Sequence, residues 1–249
     1  MDYLRLTGLK VGQVYEARLK ALRRKEVRRV LALCAAAGDT ANEWASVIQK
    51  QLDESSYLQA WHIGLYRSIG LPRAKSTVRD LKKVKAAEDI DLDTEWLETL
   101  TDYAKNRAGS NIVIVSGTLR DQLIQVVRDT MEATPELGIE KLTKSILQEY
   151  NKLATWQVRR IAQTESMIAM ADAANMAAGT LDIRYTKQWC ISGLGNTRDT
   201  HEIMDGVEVE KDDPFVLQGG YLMYPHDCSM GADAAEIINC ACDCIRRPK

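Results

Sequence analysis

Hydrophobic residues recur at intervals of three and four along most of this chain, which is the spacing of one face of an α-helix. The first such face predicts a helix from about Val11 to Ala37, which Gly38 ends as a C-cap. Its apolar positions are Tyr15, Leu19, Leu22, Val27, Val30, Leu31 and Cys34. Because Cys34 belongs to this face, we expect an inert core thiol there.

A second helix is predicted to begin after Thr40. Thr40 and Glu43 have the spacing of a capping box, in which each side chain accepts a hydrogen bond from an amide at the start of the helix. Helical spacing continues and predicts an end near Gly70-Leu71-Pro72. The segment from Arg73 to Asp93 has few large apolar groups, so it is the best candidate for a connector.

The central part of the chain interrupts this pattern once. Asn106 to Ser110 is expected to break a helix, and the β-branched run within Asn111 to Val115 favours an extended segment. Helical spacing returns after Thr118. The longest predicted helix, from about Leu153 to Ala178, is rich in alanine, and its small side chains allow another helix to approach closely.

The apolar pattern changes to a period of two after Gly179. Alternation from Ile183 to Cys190 predicts a strand, Asp205-Gly206 is a strong turn signal, and residues 237–245 are expected to supply a closing strand. We therefore predict a mostly α fold with a small C-terminal α+β module, in which long helices pack on a short β-sheet.

Composition agrees with a helical core. Only 6% of the 249 residues are aromatic, with a single Phe, and this mixture favours helix packing over a β-sandwich. No run of about 18 apolar residues occurs, and the start of the chain lacks the pattern of a secretory signal. We therefore expect no membrane association and, in a reducing compartment, free or metal-bound thiols.

The charge is unevenly distributed. The net charge of −2 argues against a protein that coats nucleic acid, because that function needs a clustered positive field. Met1 to Leu33 nevertheless contains nine basic and three acidic residues. A solvated helix surface explains this excess, and a patch that binds DNA or an acidic partner is the alternative. The candidate residues of that patch are Arg18, Arg23, Arg24, Arg28 and Arg29.

Candidate metal chemistry is concentrated from Lys187 to Cys244, where five of the six cysteines and two of the three histidines lie. Thiolate and imidazole groups are the usual ligands of tetrahedral Zn²⁺. A structural ion suits a module of fewer than about 70 residues, because so small a core supplies little stability. Reduced structural cysteines are the alternative. The candidate ligands are His201, His226, Cys240 and Cys242, with Cys228 or Cys244 as replacements for His226.

Glu165 lies in an apolar stripe of the longest predicted helix, with Ile161 and Ile168. A buried carboxylate is costly unless it is paired. Arg198 is the best candidate partner, and a bidentate pair would join the helix to the C-terminal module. Two unrelated surface charges are the alternative.

Several of these features occur together in a recognisable order. They are Ile161-Ala162-Gln163-Thr164-Glu165, Trp189, Thr197-Arg198-x-x-His201, Asp205-Gly206, Phe215, Tyr224-Pro225 and Asn239-Cys240-x-Cys242. On these marks, from about Thr94 to Arg246, the chain resembles the Mu F-type phage head morphogenesis proteins, also called minor head or minor capsid proteins. It departs from them at Ala241, where Arg is frequent, and at Arg198 and His201, where many relatives have Cys-x-x-Cys.

The resemblance implies a minor structural protein of a tailed phage, made in the host cytoplasm and located inside the capsid near the portal vertex. It implies the portal protein, other head proteins and the packaged double-stranded DNA as partners, with roles in head assembly and in DNA packaging or ejection. On this reading the chain is not an enzyme. The alternative is a metal-dependent nuclease or hydrolase centred on His201, Asp205 and the C-terminal cysteines.

Three regions follow from this interpretation. Residues 1–93 are predicted to form a helical partner-binding region, and residues 94–180 the helical part of the head morphogenesis domain. Residues 181–249 are predicted to form the Cys/His-rich α+β module.

Overall fold

A computed structural model describes residues 2–52, 55–82, 95–135, 138–192 and 197–249. As predicted, the fold is mostly helical with a small C-terminal β-sheet. The helices are α1 (Asp2–Ala37), α2 (Ala41–Gln51), α3 (Ser55–Leu65), a π-helical turn (Tyr66–Gly70), α4 (Leu71–Lys82), α5 (Glu95–Ala133), α6 (Ile139–Gly179), α7 (Asp199–Glu202) and α8 (Ala234–Ile237). The strands are β1 (Tyr185–Cys190), β2 (Glu208–Glu210), β3 (Phe215–Leu217), β4 (Gly220–Leu222) and β5 (Asp243–Pro248).

The chain forms two compact units. One comprises the described parts of residues 1–13, 64–102 and 160–249, and the other those of residues 14–63 and 103–159. These units cut across the predicted boundaries at residues 93 and 180. No helix among the described residues is both long enough and apolar enough to cross a membrane.

The unit built from residues 14–63 and 103–159 is helical and has one apolar core. Thr40 forms the predicted capping box: the Glu43 N–H donates to the Thr40 hydroxyl at 3.3 Å, and the Thr40 N–H donates to the Glu43 carboxylate at 3.1 Å. Cys34 is buried as predicted, and burial raises the pKa of its thiol to about 11. The thiol therefore stays protonated and unreactive at neutral pH. The principal core residues are Val27, Val30, Leu31, Cys34, Trp44, Ile48, Leu119, Leu123, Val127, Ile146 and Tyr150.

The other unit contains both sheets. The three-stranded sheet has the order β2-β1-β5 with antiparallel pairing, and Trp189 of β1 lies opposite Cys244 of β5. The hairpin of β3 and β4 is a separate two-stranded sheet. An apolar core joins these elements to α6; its buried members include Ile168, Trp189, Met204, Phe215, Leu222, Tyr224, Ile237, Cys240 and Cys242.

The small-residue face of α6 allows the predicted close approach. A Cβ added at Gly70, in the π-helical turn, would lie 3.2 Å from the Cβ of Ala173 and 3.4 Å from the backbone oxygen of Ala169. Only a glycine therefore fits here without displacing its neighbours.

Asp172 of α6 is the polar centre of the same contact. Its side chain is 0% exposed. It accepts one hydrogen bond from the Tyr66 hydroxyl at 2.7 Å and another from the Tyr224 hydroxyl at 3.0 Å. These bonds join the π-helical turn and the C-terminal module to the long helix.

Several predicted element boundaries are wrong. Residues 106–115 continue α5, so neither the predicted break nor the extended segment forms, and the longest helix, predicted to begin at about Leu153, begins at Ile139. Pro72 does not end a helix: α3, the π-helical turn and α4 are continuous, and the Leu71 N–H beside Pro72 donates to the Tyr66 backbone oxygen, five residues back, in the π-helical pattern. The predicted connector is helical up to Lys82, and its residues 83–93 lie outside the described part of the chain.

The hydrogen bonds to Asp172 predict that loss of either tyrosine hydroxyl destabilises the protein. Tyr66→Phe and Tyr224→Phe should each lower the free energy of unfolding by about 1.5–3 kcal/mol, because each removes a hydrogen bond to a buried carboxylate. Tyr221→Phe is the control, since Tyr221 is 53% exposed, and it should change little. Urea unfolding measures all three, and equal stability of the variants and the wild type would contradict the prediction.

Candidate metal centre

Three predicted ligands come together in the C-terminal module. The side chains of His201, Cys240 and Cys242 are buried, and one ligand atom from each lies within 4.8 Å of the other two. His201 comes from the short helix α7, and the two cysteines come from the turn between α8 and β5. This group can hold a metal ion.

Local backbone geometry places these side chains. Arg198 is extended immediately before α7, whose first turn directs His201 inward. Asn239 has a positive φ of 56°, which turns the chain sharply after α8. The Cys242 N–H then donates to the Cys240 sulfur at 3.4 Å, so the Cys-x-Cys segment folds back with both thiols toward His201.

The distances suit a tetrahedral ion. His201 Nδ1 lies 3.6 Å from Cys240 Sγ and 3.4 Å from Cys242 Sγ. Around tetrahedral Zn²⁺, bonds of about 2.3 Å to sulfur and about 2.0–2.1 Å to nitrogen separate the two ligand atoms by about 3.5–3.6 Å. The imidazole nitrogen therefore already lies at the distance from each sulfur that such an ion requires.

A carboxylate and an indole ring hold the imidazole from outside this group. His201 Nε2 lies 2.8 Å from the Glu236 carboxylate, and the Thr200 hydroxyl donates to the same carboxylate oxygen at 3.1 Å. The Trp189 ring packs against the imidazole in a T-shaped contact, with 5.3 Å between the ring centroids. His201 is thus fixed in orientation as well as in position.

The two thiols share a hydrogen bond that makes them unequal. It lowers the pKa of Cys240, which Arg198 lowers further, and it raises the pKa of Cys242, as does burial. Cys240 is therefore the thiol that ionises first. A thiolate is the form that binds a metal ion.

The structure places His226 outside the group, although it was a predicted ligand. His226 Nε2 donates instead to the backbone oxygen of Cys242 at 3.0 Å. Complete burial lowers the pKa of His226, which favours the neutral ring. His226 therefore supports the Cys-x-Cys turn from behind.

The predicted pair of Glu165 and Arg198 is absent from the ion pairs of the described residues. Arg198 Nη2 donates to the backbone oxygen of Ile238, in the turn that leads to Cys240. A backbone carbonyl that follows α8 needs a donor, and this arginine satisfies it. Glu165 is buried on α6.

Asp205 stabilises the turn that begins at this residue. Its carboxylate accepts a hydrogen bond from the Ile191 N–H at 2.9 Å, and Gly206 has a positive φ of 79°. These contacts give Asp205 a structural role, which weakens its candidacy as the base of a hydrolase.

The predicted basic patch is only partly exposed. Arg23 is 1% exposed and so belongs to the interior, and Arg29 forms an ion pair with Glu26 at 2.6 Å. Arg18 packs over the Tyr15 ring and Arg24 donates to the Asn151 side chain at 3.3 Å, but both remain exposed, as does Arg28. Arg24 and Arg28 are one helical turn apart on α1, so this exposed pair is the part of the patch that we expect to meet a partner.

The sequence pattern does not predict the contacts of three residues that support the C-terminal module. Glu236 has the spacing of a capping residue from Asp233, so its pattern suggests a helix start rather than a histidine partner. Arg73 forms an ion pair with Asp243 at 2.8 Å. Lys187 is fully buried, and its ammonium donates to two backbone oxygens, those of Asp213 and Met223, at 2.8 Å each.

Comparison with known proteins gives one informative match. The chain is 30% identical over 111 residues to the NAD(+)--arginine ADP-ribosyltransferase EFV of Enterococcus faecalis (strain ATCC 700802 / V583), a match that covers 39% of this chain and 22% of the relative. The chain thus spans about a fifth of the length of that relative. No family model matches the chain, and no solved structure gives a significant match.

This match corrects one expectation. The chain was expected not to be an enzyme, and the relative carries the name of a transferase. The prediction that the chain lacks enzymatic activity is therefore contradicted.

Proposed function

We propose that the chain is a head morphogenesis protein of a tailed phage, which acts in head assembly and in DNA packaging or ejection at the portal vertex. On this proposal it is a virion component of the capsid interior, with the portal protein and other head proteins as partners. The packaged DNA would pass close to its surface.

The observation that carries this proposal is the convergence of the residues that bear the family resemblance. The Thr164 hydroxyl accepts the Asn239 N–H at 3.1 Å, and Trp189 packs against both His201 and Phe215. Tyr224 binds α6 through Asp172. Marks that are up to 75 residues apart are thus in contact, as expected if they are the signature of one domain.

We further propose that the ion at His201, Cys240 and Cys242 is a structural zinc. The three donors are buried, and Zn²⁺ with two thiolates and one neutral imidazole carries no net charge, so an apolar core can contain it. An ion there would staple α7 to the turn before β5. Its binding free energy would then stabilise the folded module.

Zinc content tests the proposed metal centre. The purified protein should contain about one zinc ion per chain, and a strong chelator should lower its midpoint of thermal unfolding. Cys240→Ala and Cys242→Ala should each lose the ion, whereas Cys228→Ala should retain it because Cys228 is exposed and lies outside the group. Elemental analysis measures the content, and a wild-type protein that binds no zinc when refolded with it would contradict the proposal.

Binding to the portal tests the proposed assembly role. The full chain should co-elute with the cognate portal oligomer in size-exclusion chromatography. The double variant Arg24→Glu/Arg28→Glu should weaken binding by about tenfold if this exposed pair takes part, because charge reversal converts attraction into repulsion.

The matched control for that experiment is Lys50→Glu/Lys141→Glu, which changes the charge equally at exposed positions of the same compact unit. This control should bind like the wild type. A wild-type chain that does not bind the portal oligomer at all would remove the proposed role.

A second candidate function is favoured by the name of the relative. We propose as this alternative that the chain transfers ADP-ribose from NAD⁺ to arginine. In that reaction the bond between ribose and nicotinamide breaks, a bond from ribose to a guanidinium nitrogen forms, and neutral nicotinamide and one proton from that nitrogen are released.

Incubation with labelled NAD⁺ and an arginine acceptor decides this alternative. Transfer predicts a labelled acceptor and an equal amount of released nicotinamide, with EFV itself as the positive control. A chain that labels no acceptor while EFV does so under the same conditions would eliminate it.

A further inference from the structure

We infer that Glu236 is the positioning residue of the metal centre: it holds His201 in the one tautomer whose Nδ1 lone pair faces the ion. The inference rests on the proposed metal site and adds a residue to it. Glu236 does not contact the ion itself, since it lies on the opposite side of the imidazole ring.

The hydrogen bonds determine the tautomer. A carboxylate oxygen accepts, so the Glu236 contact of 2.8 Å requires a proton on His201 Nε2. A neutral imidazole with its proton on Nε2 has its lone pair on Nδ1. That nitrogen is the one that faces the sulfurs of Cys240 and Cys242.

Packing fixes the carboxylate in turn. Glu236 is 6% exposed and lies against Gly219, where an added Cβ would come within 2.7 Å of both Glu236 Cγ and Oε1. The Asp233 N–H donates to the Gly219 backbone oxygen at 2.9 Å, so the start of α8 is tied to the β3–β4 connection. The absence of a side chain at Gly219 therefore leaves the room that the Glu236 side chain needs in this position.

Charge gives the arrangement a second effect. In metal sites a carboxylate on the outer nitrogen strengthens the imidazole as a metal ligand, and loss of such a partner typically lowers metal affinity 10–100-fold. Thr200 donates to the same oxygen and keeps the carboxylate aimed at the ring.

Two readouts test the inference on the full chain. The first is the ¹⁵N NMR spectrum of the histidine rings in the metal-free protein, which reports which ring nitrogen of His201 carries the proton. The wild type should show Nε2–H, and Glu236→Ala should show a mixture of tautomers. The second is the affinity for Zn²⁺, measured by competition with a chromophoric chelator.

Three variants separate charge from position. Glu236→Ala should weaken Zn²⁺ binding about 10–100-fold. Glu236→Gln has the same shape and can still accept the Nε2 proton, so it should rescue part of that loss. Gly219→Ala leaves every ligand and charge in place but displaces the carboxylate, so it should also weaken binding about tenfold or more.

The controls are chosen at open positions. Glu202→Gln removes an exposed carboxylate from the same short helix as His201, and Gly179→Ala adds a methyl group where nothing lies within 4 Å. Both should bind Zn²⁺ like the wild type. If Glu236→Ala does not fold, the isosteric Glu236→Gln and the tautomer of the wild type still test the inference.

The outcomes distinguish this inference from the proposed metal site. A wild type that binds no Zn²⁺ overturns the metal site, and the inference with it. A wild type that binds Zn²⁺ but carries the His201 proton on Nδ1 when metal-free overturns only the role of Glu236. Unchanged affinity in Glu236→Ala and Gly219→Ala does the same.

Discussion

The burial of Asp172 is the constraint on which the C-terminal module depends. A carboxylate with no exposed surface needs donors within the protein, because its hydration has been lost. Tyr66 and Tyr224 supply them from segments that lie more than 100 residues before and about 50 residues after Asp172 in the sequence. The module can therefore be complete only when these segments have docked on α6. Tyr224 also fixes the start of the turn that contains His226, which holds the Cys242 carbonyl.

The candidate metal centre also consists of buried polar groups that need partners within the protein. His201 is satisfied on one side by Glu236 and on the other by two thiols, whose hydrogen bonds are long and weak. A metal ion would replace those weak contacts by coordination bonds without moving the ligands far. Arg198 and His226 each bind a backbone oxygen beside the cysteines, so the turn is held in place by residues that are not themselves ligands.

Sequence patterns gave reliable information where the physical cause is local. Thr40 and Glu43 cap a helix because four residues suffice for the contact. The strand predicted over residues 237–245 begins only at Asp243, so a turn and not a strand face brings Cys240 and Cys242 together. The β-branched run at residues 111–115 is helical and not extended, since a weak preference for extended structure yields to the helix that surrounds it. Glu236 and Arg73 could not be found, because no spacing relates them to His201 or Asp243. Arg23 was placed on the surface, although its position on α1 faces the interior.

The central claim is that the residues that carry the family resemblance form one domain, and that a metal ion bound by His201, Cys240 and Cys242 stabilises it. X-ray absorption at the zinc edge of the zinc-loaded protein tests it most directly. The account predicts two sulfur ligands at about 2.3 Å and at least one imidazole nitrogen at about 2.0–2.1 Å. Loss of the sulfur shell in Cys240→Ala/Cys242→Ala would complete the assignment. A shell of nitrogen and oxygen alone in the wild type would contradict it.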